Sequence, residues 1–231
     1  MSESNRFGDN NQNIMGGKNQ GFGYNYHAAP AAEPQAPGAS GQASGQASAE
    51  HGRSRSVFVV HGRDEEVRQS MFALLRRLDL RPLEWEELVR ATGSTAPYLG
   101  EVVRNAPSQA QAALVLLTPD DVAKLHPHLL GDAEPADETQ LTGQPRQNVL
   151  IELGMVLMAY PERTVIVEVG RLRHVADTAG LNVIRFDGTE AALAKIAARL
   201  KLAGCLLDDS RPDWRETWHF RNLSAYRRLA P

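Results

Sequence analysis

SVFVVHGRDEE (56–66) decides the fold. Five residues dominated by β-branched aliphatics run up to His61, Gly62 follows, and Asp64 stands where a helix N-cap belongs, with two acids behind it. That pattern is a buried strand, a turn and a helix start. The helix extends to about Leu78, because Val67, Met71, Leu74, Leu75 and Leu78 fall on one face at helical spacing. Downstream, LRPLEW (80–85) reads as a weaker strand. TGSTAPYLGEVVRNA (92–106) reads as a loop and a helix, with Ser94 or Thr95 near its cap and Pro97 in its first turn. AALVLLT (112–118) is the clearest buried strand, and TPDD (118–121) after it reads as a helix cap, Thr118 before Pro119 with acids in the first turn.

Residues 122–145 carry scattered Pro, Gly and acids and read as a loop with a short helix. A helix then begins in RQNVLIELG (146–154) and runs to about Tyr160. RTVIVEV (163–169) and NVIRF (182–186) are strands, and TEAALAKIAARLKLAG (189–204) is an amphipathic helix ending at Gly204. Alternation of this kind predicts an α/β domain with a five-stranded parallel sheet, helices on both faces and the flavodoxin-like order 2-1-3-4-5. In such sheets ligands bind beyond the carboxyl ends of the strands. The loops after Val60, Trp85 and Leu117, and the start of the helix carrying Glu152, are therefore where a site is expected.

Composition limits the alternatives. Residues 1–55 are poor in aliphatics and rich in Gly, Asn, Gln, Ala, Ser and Pro, so they cannot bury enough apolar surface to offset their ordering entropy. The folded part is expected over 56–208, with 209–231 as a C-terminal extension whose tryptophans pack on the domain. A formal net charge of -3 argues against a broad nucleic-acid footprint. Cys205 is the only cysteine, which excludes an internal disulfide framework and suits a reducing compartment. No apolar run approaches membrane-spanning length and no signal pattern opens the chain, so a cytoplasmic location is expected. His126 and His128 flank Pro127 without a supporting cysteine, and no metal is expected.

Helical spacing puts Asn148 and Glu152 on one face, while Val149, Leu153, Val156 and Tyr160 line a neighbouring face directed at the sheet. Glu152 is thus a carboxylate at the edge of an apolar face. On spacing alone it is also readable as a boundary glutamate favoured by the helix dipole. In HGRD (61–64), Gly62 and Asp64 are explained by a turn and a cap, but Arg63 is not, and its planar fork suits a phosphate. GST (93–95) before a helix offers backbone N–H groups to an anion.

Together VFVVHGRDEEVR, VLLTPDDV and RQNVLIELG resemble the bacterial TIR-like (Toll/interleukin receptor-like) nucleotide-binding proteins, with three motifs in order over about 56–208. The resemblance implies a TIR fold and, as for many bacterial members, cleavage of NAD at the nicotinamide–ribose bond in antiphage defence, with NAD as substrate and no separate cofactor. It implies Glu152 as the catalytic carboxylate. His61, Gly62, Arg63, Asp64, Ser94, Thr95, Asp120, Arg146 and Asn148 are the candidate substrate contacts. A non-catalytic scaffold, a nucleotide sensor, and transfer or cyclisation products stay open. The tract NRFGDNNQNIMGGKNQGFGYNYH (5–27) interleaves Asn, Gln and Gly with aromatics and resembles bacterial amyloid-signalling motifs. Behind it, 28–55 reads as a flexible linker. Self-association, or pairing with a partner bearing a matching motif, is expected from this tract.

Overall fold

Strand β1 (Ser56–Val60) is buried at every position, as a strand covered on both faces must be. In the computed structural model, which describes residues 48–173, 175 and 180–228, it lies near the middle of a five-stranded sheet. The tract 5–27 and most of the linker fall outside the described residues. Helical residues 48–54 (α1) lead into β1. There follow α2 (Glu65–Arg77), β2 (Arg81–Leu83), α3 (Trp85–Thr92), α4 (Leu99–Gln109), β3 (Ala112–Leu117), β4 (Asp121–Ala123), α5 (Ala136–Thr139), β5 (Thr142–Gln144), α6 (Gln147–Ala159), β6 (Thr164–Val169), β7 (Ile184–Phe186) and α7 (Glu190–Leu202). The large sheet has the order β2-β1-β3-β6-β7, and every pairing in it is parallel. This is the expected five-stranded order.

Alternate residues of the strands divide the core in two. Val57, Val59, Leu114, Leu116 and Val167 pack with α2, α7 and the C-terminal segment, while Phe58, Val60, Val115, Leu117 and Ile166 pack with α3, α4 and α6. Helices on both faces are required because a parallel strand presents apolar side chains to each side.

Three local expectations are corrected. The weak strand at 80–85 shrinks to β2, because Glu84 starts a helix: Glu84 and Glu87 form a reciprocal capping box, and α3 ends at Gly93 in the left-handed region with φ 71°. The next helix starts at Leu99 with Tyr98 as N-cap, not at Ser94 or Thr95. The hydroxyls there are spent in local turns, the Ser94 N–H donating to Thr92 Oγ1 at 3.2 Å and the Ala96 N–H to Ser94 Oγ at 3.4 Å. TPDD caps no helix. Thr118 Oγ1 donates instead to Asp120 Oδ1 at 2.8 Å, and the chain enters β4, which pairs antiparallel with β5. The intervening segment holds a 3-10 turn and the four-residue α5. The β4–β5 ladder pairs Asp121 with Gln144 and so sets where α6 begins.

The C-terminal extension is a core element. Trp214, Phe220, Leu223 and Ala225 are buried with α2, α7 and the sheet, and Phe220 meets Phe186 edge-on at 5.0 Å between ring centroids. Gly188 and Gly170, both at positive φ, let it approach: a Cβ would lie 2.7 Å from the Phe220 carbonyl oxygen and 2.3 Å from that of Ala225, respectively. Phe220→Ala should therefore cost about 3–5 kcal/mol of unfolding free energy. A urea titration of the full chain followed by far-UV circular dichroism measures it, whereas a peripheral tail would leave the midpoint unchanged.

Candidate active site

The loop at the carboxyl end of β1 and the start of α6 meet at a cleft of about 200 Å³. Its lining is His61, Gly62, Arg63, Arg146, Asn148, Val149 and Glu152. Residues read from two separate stretches of sequence, 61–63 and 146–152, are thus brought to one place. Glu152 stands in the second turn of α6. Val149, Leu153 and Val156 anchor that helix in the core, with Tyr160 buried just beyond it. The anchoring holds the glutamate backbone rigidly at the edge of the apolar layer.

Glu152 is half-buried and, among the described residues, has neither a hydrogen-bond partner nor an ion pair. Burial alone pushes its carboxyl above the ordinary glutamate range, because removal of water disfavours the charged form. A boundary glutamate serving only stability would be expected to pair with a cation or to stand fully in solvent, whereas this one is half-buried and, among the described residues, unpaired.

The other lining groups have defined supports. His61 Nδ1 lies 2.9 Å from the Gly62 carbonyl oxygen, and its ring meets Phe72 edge-on at 6.1 Å. The Arg63 side chain is exposed and forms no ion pair among the described residues. Arg146 is the N-cap residue of α6, with its guanidinium 3.5 Å from the Asp121 carboxylate. Among the described residues no side chain caps α6, which leaves the N–H groups of its first turn to a ligand or water.

Two expected contacts lie behind the cleft instead of in it. The Asp64 side chain accepts from the Val67 N–H at 3.0 Å, as an N-cap. Asp120 Oδ2 accepts from the Arg63 N–H at 2.7 Å. Both carboxylates are only 3% exposed, so they support the HGR loop and do not face a substrate. Ser94 and Thr95 are exposed on the loop between α3 and α4 and do not line the cleft. Val149, read only as a core residue, also forms part of the cleft wall.

Residues 56–188 match the family model described as CAP12/Pycsar effector protein, TIR domain. The chain belongs to that family. This TIR domain is also similar, at 30% identity over 159 residues, to the uncharacterized protein YuaY of Escherichia coli (strain K12). The alignment covers 68% of the present chain and 48% of YuaY, so the chain spans about half the length of that relative. The family match includes every residue of the TIR cleft but stops before α7 and the C-terminal segment. Among the described residues, no helix is long and apolar enough to cross a membrane.

The unpartnered glutamate makes the TIR domain less stable than it need be. A carboxyl whose folded pKa is raised favours folding most below its unfolded value of 4.5, and that contribution is lost as pH rises through the folded pKa. Glu152→Gln should therefore raise the melting temperature at pH 8, with the difference vanishing near pH 4. Differential scanning fluorimetry across that range checks the sign.

Proposed function

We propose that this TIR domain is an NAD glycohydrolase acting in antiphage defence, with Glu152 as its catalytic carboxylate. The observation that carries the reading is a half-buried glutamate, without an ion pair among the described residues, facing a polar cleft with Arg63, Arg146 and Asn148 around it. The cleft volume falls below the roughly 300 Å³ at which drug-sized ligand pockets begin, so it suits one end of a dinucleotide. In this reading the nicotinamide ribose enters. The Arg63 fork and the uncapped start of α6 meet the phosphates, and Asn148 orients the ribose or the carboxylate one turn away.

The chemistry needs little more. The bond between ribose C1′ and the nicotinamide ring nitrogen breaks with its electron pair passing to nitrogen, which neutralises the pyridinium. The leaving group is already cationic, so no general acid is required. The ribose becomes oxocarbenium-like, as in glycoside hydrolysis, and the Glu152 carboxylate stabilises that charge. Water then adds at C1′ and releases a proton, giving ADP-ribose and nicotinamide. Desolvation, which raises the energy of the resting carboxylate, strengthens its interaction with the developing cation.

Glu152→Gln keeps the size and hydrogen bonding of the side chain but removes its charge. Nicotinamide release should fall by at least about 10²-fold while the circular dichroism spectrum is unchanged. A folded Gln variant with wild-type turnover would sink the mechanism. In the wild type the ionised form does the work, so kcat/KM should fall as pH drops through a value above the ordinary glutamate range.

Control is assigned to assembly. The α4 and α6 helices leave a largely apolar groove lined by Gly100, Val103, Arg104, Met155, Met158 and Ala159, and Tyr98 and Met158 are 86% and 85% exposed. Patches of this kind mark association surfaces. It is this groove that favours the second reading, a scaffold working through TIR–TIR contacts. Stacking of the 5–27 tract would raise the local concentration of TIR domains. Turnover per molecule should then rise with protein concentration in the full chain and stay flat in a chain beginning at residue 48, measured by nicotinamide release alongside light scattering.

A further inference from the structure

The HGR loop is held from behind by a group outside the family-matched segment. Gly62 sits so close to Asp120 that a Cβ there would lie 1.8 Å from Asp120 Oδ2. That oxygen takes the Arg63 N–H at 2.7 Å, so the Asp120 carboxylate forms the seat of the loop. Asp64, at the loop's other end, is equally buried. A carboxylate buried this deeply loses its hydration, and a nearby cation offsets that loss. Arg228, near the end of the C-terminal segment, supplies that cation. Its Nη2 lies 2.9 Å from Asp64 Oδ2 as an ion pair, its Nη1 lies 3.8 Å from Asp120 Oδ1, and Nη1 also donates to the Pro119 carbonyl oxygen at 3.4 Å. Ser224 Oγ accepts from Nη2 at 2.9 Å and steadies the fork. The segment itself is fixed beside the site by the Ser224 N–H, which donates to the Glu66 carboxylate at 2.8 Å, and by Ala225 packed on Gly170.

We infer that Arg228 is a positioning residue. It clamps Asp64 and Asp120 so that the His61–Arg63 loop presents Arg63 to the substrate, and it makes the C-terminal segment part of the active site without touching the ligand. The inference rests on the NAD-cleaving activity proposed above. Glu152 is held independently by α6, so the clamp governs substrate binding and leaves the chemical step to the glutamate.

The test compares the full-length wild type with Arg228→Gln and Arg228→Lys. Arg228→Gln should speed amide hydrogen exchange in the 61–64 loop at least about tenfold, because the Asp120 carboxylate that accepts from the Arg63 N–H keeps Thr118 Oγ1 but loses its nearby cation. It should raise KM for NAD about tenfold with kcat within twofold, the scale of one hydrogen bond to a charged group. Arg228→Lys keeps the cation and should restore most of both, which also separates the clamp from simple misfolding. Exchange and KM both at wild-type values would overturn the proposal. Faster exchange with unchanged KM would also overturn it, leaving only a structural tie. A wild-type chain that releases no nicotinamide refutes the activity instead, and the exchange comparison then decides the clamp alone.

Discussion

β3 is buried along its whole length on both faces, and the rest of the structure depends on that burial. A strand with no side chain reaching water can be polar only where it stops. At Thr118 the chain leaves the apolar layer, and within three residues it must satisfy buried polar groups that the sheet no longer pairs. Thr118 and Asp120 do so by bonding each other and the loop that leaves β1. The neighbouring β1 ends in register with β3, Val60 opposite Val115, so the two exits lie side by side. That adjacency seats the loop after β1, and the start of α6 completes the cleft on its other side.

Around it the carboxylates divide into two kinds. Asp64 and Asp120 are buried and compensated, and their work is geometric. Glu152 is half-buried and, among the described residues, uncompensated, and the role proposed for it is electrostatic. All three are acids at the carboxyl edge of one sheet, but they differ in what surrounds them. A carboxylate matched to a cation in the resting protein has little left to offer a cation that forms during a reaction. One left unmatched retains that capacity at some cost in stability.

Helix α6 joins the two parts of the molecule that the proposed function requires. Its inner face locks into the sheet through Val149, Leu153 and Val156, its first turns form the cleft, and its outer side carries the exposed Ile151 and Met158. The β4–β5 ladder seats its start, because Gly143 packs against Pro119 and Asp121 meets Arg146. Contact made on the outer side therefore bears on the same rigid rod that holds Glu152. The segment 122–145 is more than an insertion, since it places the N-cap of this helix.

Local patterning alone determined the architecture. Strands such as 56–60 and 112–117 are continuous apolar runs, helices such as α2 and α6 repeat their apolar residues about every 3.6 positions, and both patterns are written in neighbouring residues. The same repeat placed Asn148 and Glu152 on one side of α6 and its apolar residues on another. Short elements escaped it. β4 and β5 have three residues each, too few to show alternation, and α3 was masked by an apolar start that also suits a strand. The capping role of Asp64 was legible in the sequence, but its burial and the roles of Asp120 and Arg228 were decided by the tertiary structure alone. Whether a carboxylate faces ligand or core depends on desolvation and on which cation lies near it, and here that cation arrives from the far end of the chain. No pattern among adjacent residues encodes a contact of that range, because burial belongs to the packed molecule and not to the segment.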